Sequence, residues 1–501
     1  MKIFIKKICM TLIILWIGAM LVSFPIKATE SEIISSGTCG DDLTWKYTSD
    51  KVLTISGTGD MDSYTYHNAT DSTDAPWNGL RGDVKKIIIE DGVTNVGKSA
   101  FFLFSQLEEV VLGDDVAVIR EHAFNSCRVL RSITIGKGIE EIEGYAFTSC
   151  TSLLEVYGPD LTTWCGIKFI DIYSNPACPK QVYVSESDSW VYYDAILYLD
   201  GVPVEDALVI PATVSEWGIG TFQNYRALKT VVISDGITSI GAGAFGNCEN
   251  LVNITIPESV TTIEKGAFAG CGFTSLDIPE GVKKLGDSTF ASCSRLKNVN
   301  LPSSLNEIGN NAFANCALNK IEIPESITTI GDGVFQSCPF TEISIPNSVS
   351  TLGNSVFKNC TNLKSVDLPV NLKSVGNEMF YGCASLENIE LPANVKSIGS
   401  DAFVECSNLK NVVLSDVLTE IGENAFRGLK NLINMELPDS IITVGASAFK
   451  NLSNWKDAKI PANIETIGEY AYSGCTNLTS IELPNSVFSV GSYAFENCSQ
   501  A

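Results

Sequence analysis

From about residue 84 onward the chain repeats one pattern of apolar and polar positions. The stretches IPESVTTIEKGAFAGCGFTSLD (256–277), IPESITTIGDGVFQSCPFTEIS (323–344) and LPANVKSIGSDAFVECSNLKNVV (391–413) align end to end. They share I/L-P-x-S/N-V/I-x-x-I-G-x-x-A-F-x-x-C-x-x-L-x-x-I. The aromatic position recurs from Phe101 to Phe495, with Tyr472 replacing one Phe, and fourteen of its fifteen gaps are 22 or 23 residues. A fixed period of this size marks a repeat architecture, in which each unit buries its apolar face against its neighbours.

Each position in the unit has a physical reading. The L-x-x-I-x-L segment, such as Leu386 to Leu391, alternates apolar and polar side chains and predicts a short strand. Pro ends it, because Pro donates nothing to a ladder. The V-x-x-I pair, such as Val395 and Ile398, turns apolar groups inward again. Gly399 and its equivalents fit a bend that requires positive φ. In A-F-x-x-C, Phe and Cys stand three residues apart, the spacing of one face of a single helical or 3₁₀ turn. Stacking such units gives a quasi-one-dimensional solenoid of about eighteen turns over residues 84–501.

The gap of 75 residues between Phe147 and Phe222 departs from the period. It divides into one normal turn and two oversized ones, with strands predicted at Val182–Val184 and Leu208–Ile210 and bulky loops near 158–206. Asp200-Gly201 marks a turn inside this region. Residues 29–83 lack the repeat. Leu43, Trp45 and Tyr47 alternate and Val52–Ser56 reads as a partner strand. A small β cap over the first turn is predicted, with an independent binding module as the alternative.

The first 28 residues read as a secretory signal peptide. Lys2, Lys6 and Lys7 precede an apolar run from Ile8 to Val22, and Ala28 fits a cleavage point. Cleavage would remove Lys2, Lys6, Lys7 and Lys27 and take the formal net charge from −24 to −28. So acidic a chain is repelled by nucleic acid and by anionic membrane surfaces. No later stretch is apolar enough to span a membrane. Cleavage also removes Cys9, leaving fifteen of the sixteen Cys. Twelve of these, from Cys127 to Cys498, stand three residues after the aromatic, where other turns carry Phe104, Tyr225, Leu429 or Leu452. A position that accepts all of these is a buried apolar site and not a metal ligand. Cys39, Cys165 and Cys178 lie off this column. Cys165 and Cys178 share the oversized turns and form a candidate disulfide, with separate thiols as the alternative.

The I-P-x-S-V-T-x-I-G-x-x-A-F-x-x-C-x-x-L pattern resembles the BspA-like bacterial surface subclass of leucine-rich repeats. The likeness covers about residues 84–501. Trp164, Cys165, Ile167 and Phe169 with Ser174-Asn175-Pro176 resemble a variant turn of that family, and S-G-T-C-G-D-D-L-T-W (36–45) with A-P-W (75–77) resembles its N-terminal segment. The resemblance implies an α/β leucine-rich-repeat solenoid, a right-handed superhelix rich in strand with short helical turns. It also implies a secreted or surface-displayed protein that binds host matrix or cell-surface proteins. It brings no catalytic residues, and this chain departs from anchored members in lacking an L-P-x-T-G sorting signal.

The outward strand position can be followed along the array through Thr255, Asp277, Asn300, Glu322, Ser344, Asp367, Glu390, Val413, Glu436, Lys459 and Glu482. Six of the eleven are acidic. Two residues earlier stand Asn253, Asn298, Asn388, Asn411 and Asn434. The acids Asp277, Glu322, Asp367, Glu390, Glu436 and Glu482 are thus a candidate docking face for a basic protein segment; the competing reading is a solvated face kept acidic for solubility. The sequence contains no G-x-S-x-G, H-E-x-x-H or Walker A motif. His67 and His122 read as solvated, and Asp60 and Asp62 lack the other ligands of a calcium loop. No catalytic residue, metal or cofactor is expected. Protein binding leads, ahead of a self-associating surface protein and of a non-catalytic carbohydrate-binding protein. The last would use the aromatics Trp190, Tyr192, Tyr193 and Tyr198.

Overall fold

The computed structural model describes residues 31–498 apart from 172, 179, 185–188, 194, 456–458 and 479–480. The predicted signal peptide lies outside the described residues. The chain winds into a strand-rich solenoid of about 17 turns. Most turns add a short strand to a front ladder and a two-residue strand to a back ladder. Among the described residues there is one α-helix, Leu161–Gly166, and one 3₁₀ turn, Asn78–Leu80.

The front ladder opens with Ile33–Thr38, Leu43–Thr48 and Val52–Gly57, paired antiparallel. Val52–Gly57 then pairs parallel with Lys86–Ile89, the strands through Ile196–Leu199 follow in parallel, and later front strands pair in parallel in shorter groups. The register is fixed by the buried apolar column: Leu53 faces Ile87, Ile87 faces Val110, and Val110 faces Ile133. A slip of one residue would put this column in water. The back ladder pairs equivalent residues in the same way, as at Ile308 and Ile330.

The core between the ladders is a column of rings. Eleven successive Phe residues from Phe222 to Phe449 are buried. Their neighbouring centroids lie between 5.0 Å (Phe403–Phe426) and 6.2 Å (Phe313–Phe335). The rings are near-parallel, within 3° at Phe245–Phe268, the offset-stacked geometry that aromatic pairs favour. At the N-terminal end Trp77 stacks on Phe101 at 5.3 Å and donates its indole N–H to the Ala100 carbonyl at 2.7 Å.

The A-F-x-x-C segments are not helical. In the turn of Phe313, Ala312 N–H donates to Gly309 and Cys316 N–H to Phe313, two successive reverse turns. Asn311 and Asn315 take left-handed φ of 55° and 59°, a conformation Asn tolerates. The left-handed residues aim the Phe313 N–H at the Val334 carbonyl of the next turn, 3.1 Å away. A helix would direct that N–H back along its own segment, so bonding between turns displaces bonding within one.

Gly399 is likewise present for another reason than the predicted bend. Its φ is not among the positive values. A Cβ there would lie 2.5 Å from Asn377 N and 2.7 Å from Gly376 C of the preceding turn. Glycine is required because two backbones approach closely.

The cysteine column is more specific than an apolar site. Each of the twelve thiols donates to the carbonyl of the aromatic residue one turn back, as Cys338 Sγ does to Phe313 at 3.2 Å and Cys406 Sγ to Phe380 at 3.0 Å. Burial pushes Cys338 and Cys406 up to about 12. The recurrent Ser two residues after Pro acts in a parallel way: Ser326 Oγ donates to the Leu305 carbonyl at 2.6 Å.

The oversized region differs from the expectation in one strand. Val182–Val184 belongs to Lys180–Val184, which pairs antiparallel with Ser189–Tyr193 outside the ladders. Four residues link these strands, too few for a parallel crossover. The strand that follows Glu155–Gly158 in the front ladder is Ile196–Leu199. Leu208–Ile210 does join a ladder, within Asp206–Ile210 paired with Leu228–Ile233. Cys165 and Cys178 do not form the candidate disulfide. Cys165 sits as a buried thiol on the helix, raised by desolvation. The Cys178 thiol instead donates to the Gln223 carbonyl at 2.9 Å.

Candidate binding face

Front strands alternate outward and inward residues, so one side of the ladder carries two exposed rows. Asp277, Glu322, Asp367, Glu390, Glu436 and Glu482 all stand exposed on it. Parallel pairing brings equivalent positions side by side: Asp277 faces Asn300, Ser344 faces Asp367, and Glu390 faces Val413. The structure therefore assembles the predicted acids into a row, although the ladder is not continuous. Residues 320–323 form no strand, which separates the pairs around Asp277 and Asp367. The preceding turn is one residue short between Cys316 and Leu318, compared with Cys293 and Leu296.

Neighbouring turns supply the local partners. Asn300 donates its amide to Asp277, and Lys320 pairs with Glu322 at 3.3 Å. In the second row Asn388, Asn411 and Asn434 form an amide ladder. Asn411 Nδ2 donates to Asn388 Oδ1, and Asn434 Nδ2 to Asn411 Oδ1 at 2.6 Å. One amide proton of each pair is thereby committed, which fixes which oxygen and which nitrogen face outward. At the strand entry Lys410 bonds Glu387 at 2.9 Å and holds its carboxyl below the usual carboxylate range. That cation is thus drawn toward Glu387.

Open grooves line this side of the molecule, two of them around Val413. One, of about 720 Å³, runs across the strands of Asp367, Glu390 and Val413. The other, of about 590 Å³, is lined by Val413, Glu436, Asp439 and Lys459 among others. Sequence reasoning placed Val413 in the row but missed Val370 and Asp416. Both follow the strand, Val370 after Pro369 and Asp416 after Ser415, where no alternation announces which way a side chain points.

The remaining candidates scatter. His67 lies exposed on a short hairpin with Ser72–Thr73. His122 is partly buried, with its ring stacked on Tyr145 at 5.3 Å and Nε2 at 3.6 Å from Glu121. Tyr145 stacks in turn on Tyr173 at 5.8 Å, a row of exposed rings that the sequence reading did not single out. Asp60 accepts the Thr94 hydroxyl, and the Asp62 backbone N–H donates to Cys39. Among the described residues no group of His, Cys, Asp or Glu could hold a metal ion. Trp190, Tyr192 and Tyr193 belong to the hairpin strand Ser189–Tyr193. Tyr198 lies apart from it, stacked on Tyr157 at 4.8 Å in the ladder. Among the described residues no helix is long and apolar enough to cross a membrane.

A model of the BspA type leucine rich repeat region matches residues 81–169, 216–340, 328–456 and 408–501. The chain belongs to the BspA-type leucine-rich-repeat family. Several solved structures resemble this BspA-type chain. A leucine-rich repeat protein from Bacteroides ovatus is 24% identical over 92% of this chain and 97% of its own, with a TM-score of 0.47. A leucine rich cell surface protein from Faecalibacterium prausnitzii is 22% identical over 80% and 94%, with a TM-score of 0.41. A leucine-rich repeat protein from Eubacterium ventriosum is 21% identical over 93% and 95%, with a TM-score of 0.39. Among curated protein sequences none matches.

Proposed function

We propose that this BspA-type chain is a secreted or cell-surface adhesion protein whose front strand face docks a basic segment of a partner protein. The observation that carries the proposal is the set of exposed carboxylates that recur at one repeat position from Asp277 to Glu482, of which Asp277, Asp367 and Glu390 stand on parallel-paired strands. Charges repeated along one face steer an oppositely charged partner and raise its association rate. The stretch from Lys2 to Ala28 supports export. A long array that repeats one face along its turns suits binding to an extended surface better than catalysis at a point.

The test is a binding screen of the chain against host matrix proteins at two salt concentrations. For a partner so found, the triple substitution Asp367→Asn, Glu390→Gln and Glu436→Gln should slow association and flatten its salt dependence. An unchanged rate with an unchanged salt slope would reject the acidic face as the docking site.

A further inference from the structure

Exposed valines recur along the front row, in register at Val209 and Val232 and again at Val413, and Val413 lies with Val370 among the acids. Val413 occupies the acidic row itself, in register with Glu390, and is 54% exposed. Val370, just after the strand Ser365–Asp367 two turns back, is 57% exposed. Single exposed valines are ordinary on protein surfaces. These two line the same groove of about 720 Å³, together with Leu414 and the carboxylates of Asp367, Glu390 and Asp416. Val413 also borders the adjoining groove with Glu436 and Asp439. Rungs of a ladder lie ~4.8 Å apart, so Glu390 and Glu436 flank Val413 at the reach of a lysine or arginine side chain on either side.

We propose that this groove receives an extended segment of the partner that carries one branched aliphatic residue between basic residues. The aliphatic side chain sits between Val370 and Val413, and the cations face Asp367, Glu390 and Asp416. The inference rests on the basic-partner reading of the face and specifies which turns hold the segment and what anchors it. Carboxylates alone attract any polycation. An apolar seat inside the acidic row adds a preference among polycations, because an aliphatic group there leaves water while its charged neighbours stay solvated.

The experiment measures fluorescence anisotropy of three labelled twelve-residue peptides with the full chain at low and high salt. One peptide is lysine-rich with a central leucine. The second replaces that leucine with serine. The third replaces the lysines with glutamates. The leucine peptide should bind about tenfold tighter than the serine peptide, the gain expected from partly burying one leucine, and the glutamate peptide should not bind. The double substitution Val370→Ser and Val413→Ser should erase the leucine preference and keep salt-dependent binding of the serine peptide. Both valines are more than half exposed, so the variant should retain the native circular dichroism spectrum. Val232→Ser, in the same row but outside the groove, should keep the preference. Equal binding of the two lysine peptides, or a preference that survives the double substitution, overturns the valine anchor and leaves the acidic face standing. Loss of all salt-dependent binding by the lysine peptides in the unsubstituted chain overturns both.

Discussion

Replacing Cys338 with valine should make the protein relatively more stable as pH rises. The Cys338 thiol is buried and bonded to the Phe313 carbonyl. Desolvation raises it from an ordinary value of 9.0 to about 12. In the unfolded chain the same thiol ionises near 9, so folding favours the neutral form. The stability this provides is complete below pH 9 and is lost as pH climbs from 9 toward 12. At pH 10 most of the unfolded thiol is ionised and little of the folded one, a difference on the order of 1 kcal/mol. At pH 7 valine should cost less than ~1 kcal/mol: it keeps the apolar volume and loses one weak S–H donor. Leu429 and Leu452 already fill the equivalent site elsewhere in the array and are buried there. Urea unfolding followed by far-ultraviolet circular dichroism, at intervals from pH 7 to pH 10, reads the difference between the two proteins. Lysine and tyrosine titrations are common to both and cancel. Because repeat arrays unfold through nearest-neighbour units, the comparison concerns the cooperative unit that contains Phe335 and Cys338. A stability difference that stays flat across this range would show that Cys338 ionises as readily folded as unfolded, and the buried column would be wrong.

Three further outcomes test the packing. Phe313→Ala should cost about 3–5 kcal/mol, because Phe313 is buried between Phe290 at 5.6 Å and Phe335 at 6.2 Å; a near-neutral urea midpoint would place the ring in solvent. Gly399→Ala should destabilise more than Gly266→Ala in the same assay. The first sets a Cβ 2.5 Å from backbone, and the second meets nothing within 4 Å and bears only the left-handed φ of 63°, about 1–2 kcal/mol. Thiol titration of the denatured, unreduced protein should give at least ten reactive thiols, and fewer would mean that the column is oxidised.

The period was legible because burial imposes it. Every rung must present Phe, Cys and the strand apolar residues to the same column, and the 22–23-residue spacing records that demand directly. The turn geometry was less legible because Phe and Cys three residues apart suit a helical turn and a pair of reverse turns equally. The discriminating signal lay in the residues around them. Asn311 and Asn315 stand two before and two after Phe313, at the positions that take left-handed φ, and Gly, Ser or Asn fill these positions in most turns. Gly399 was recognised as necessary but for the wrong cause, since close approach of two backbones and positive φ both select glycine. Val182–Val184 reads as a strand, but the sequence assigns it the wrong neighbour. Its spacing from Tyr157 imitates the repeat, whereas the short link to Ser189 decides the pairing.

The candidate site shows the same boundary between what alternation encodes and what it does not. Within a strand, side chains at positions two apart share a face, so the acids from Asp277 to Glu482 could be placed outward from sequence alone. Once the Pro ends the strand, that rule lapses. Val370 and Asp416 line the groove from just beyond their strands, and no local pattern states it. In the sequence the row reads as a stripe of charge with one valine out of place. In three dimensions Val413 lies between Glu390 and Glu436 and shares a groove with Val370, so the exception is the feature that gives the stripe a preferred position. A uniformly acidic face would bind polycations without register. An apolar group at one rung supplies the register, and that is why the comparison of leucine and serine peptides addresses function more directly than removal of charge.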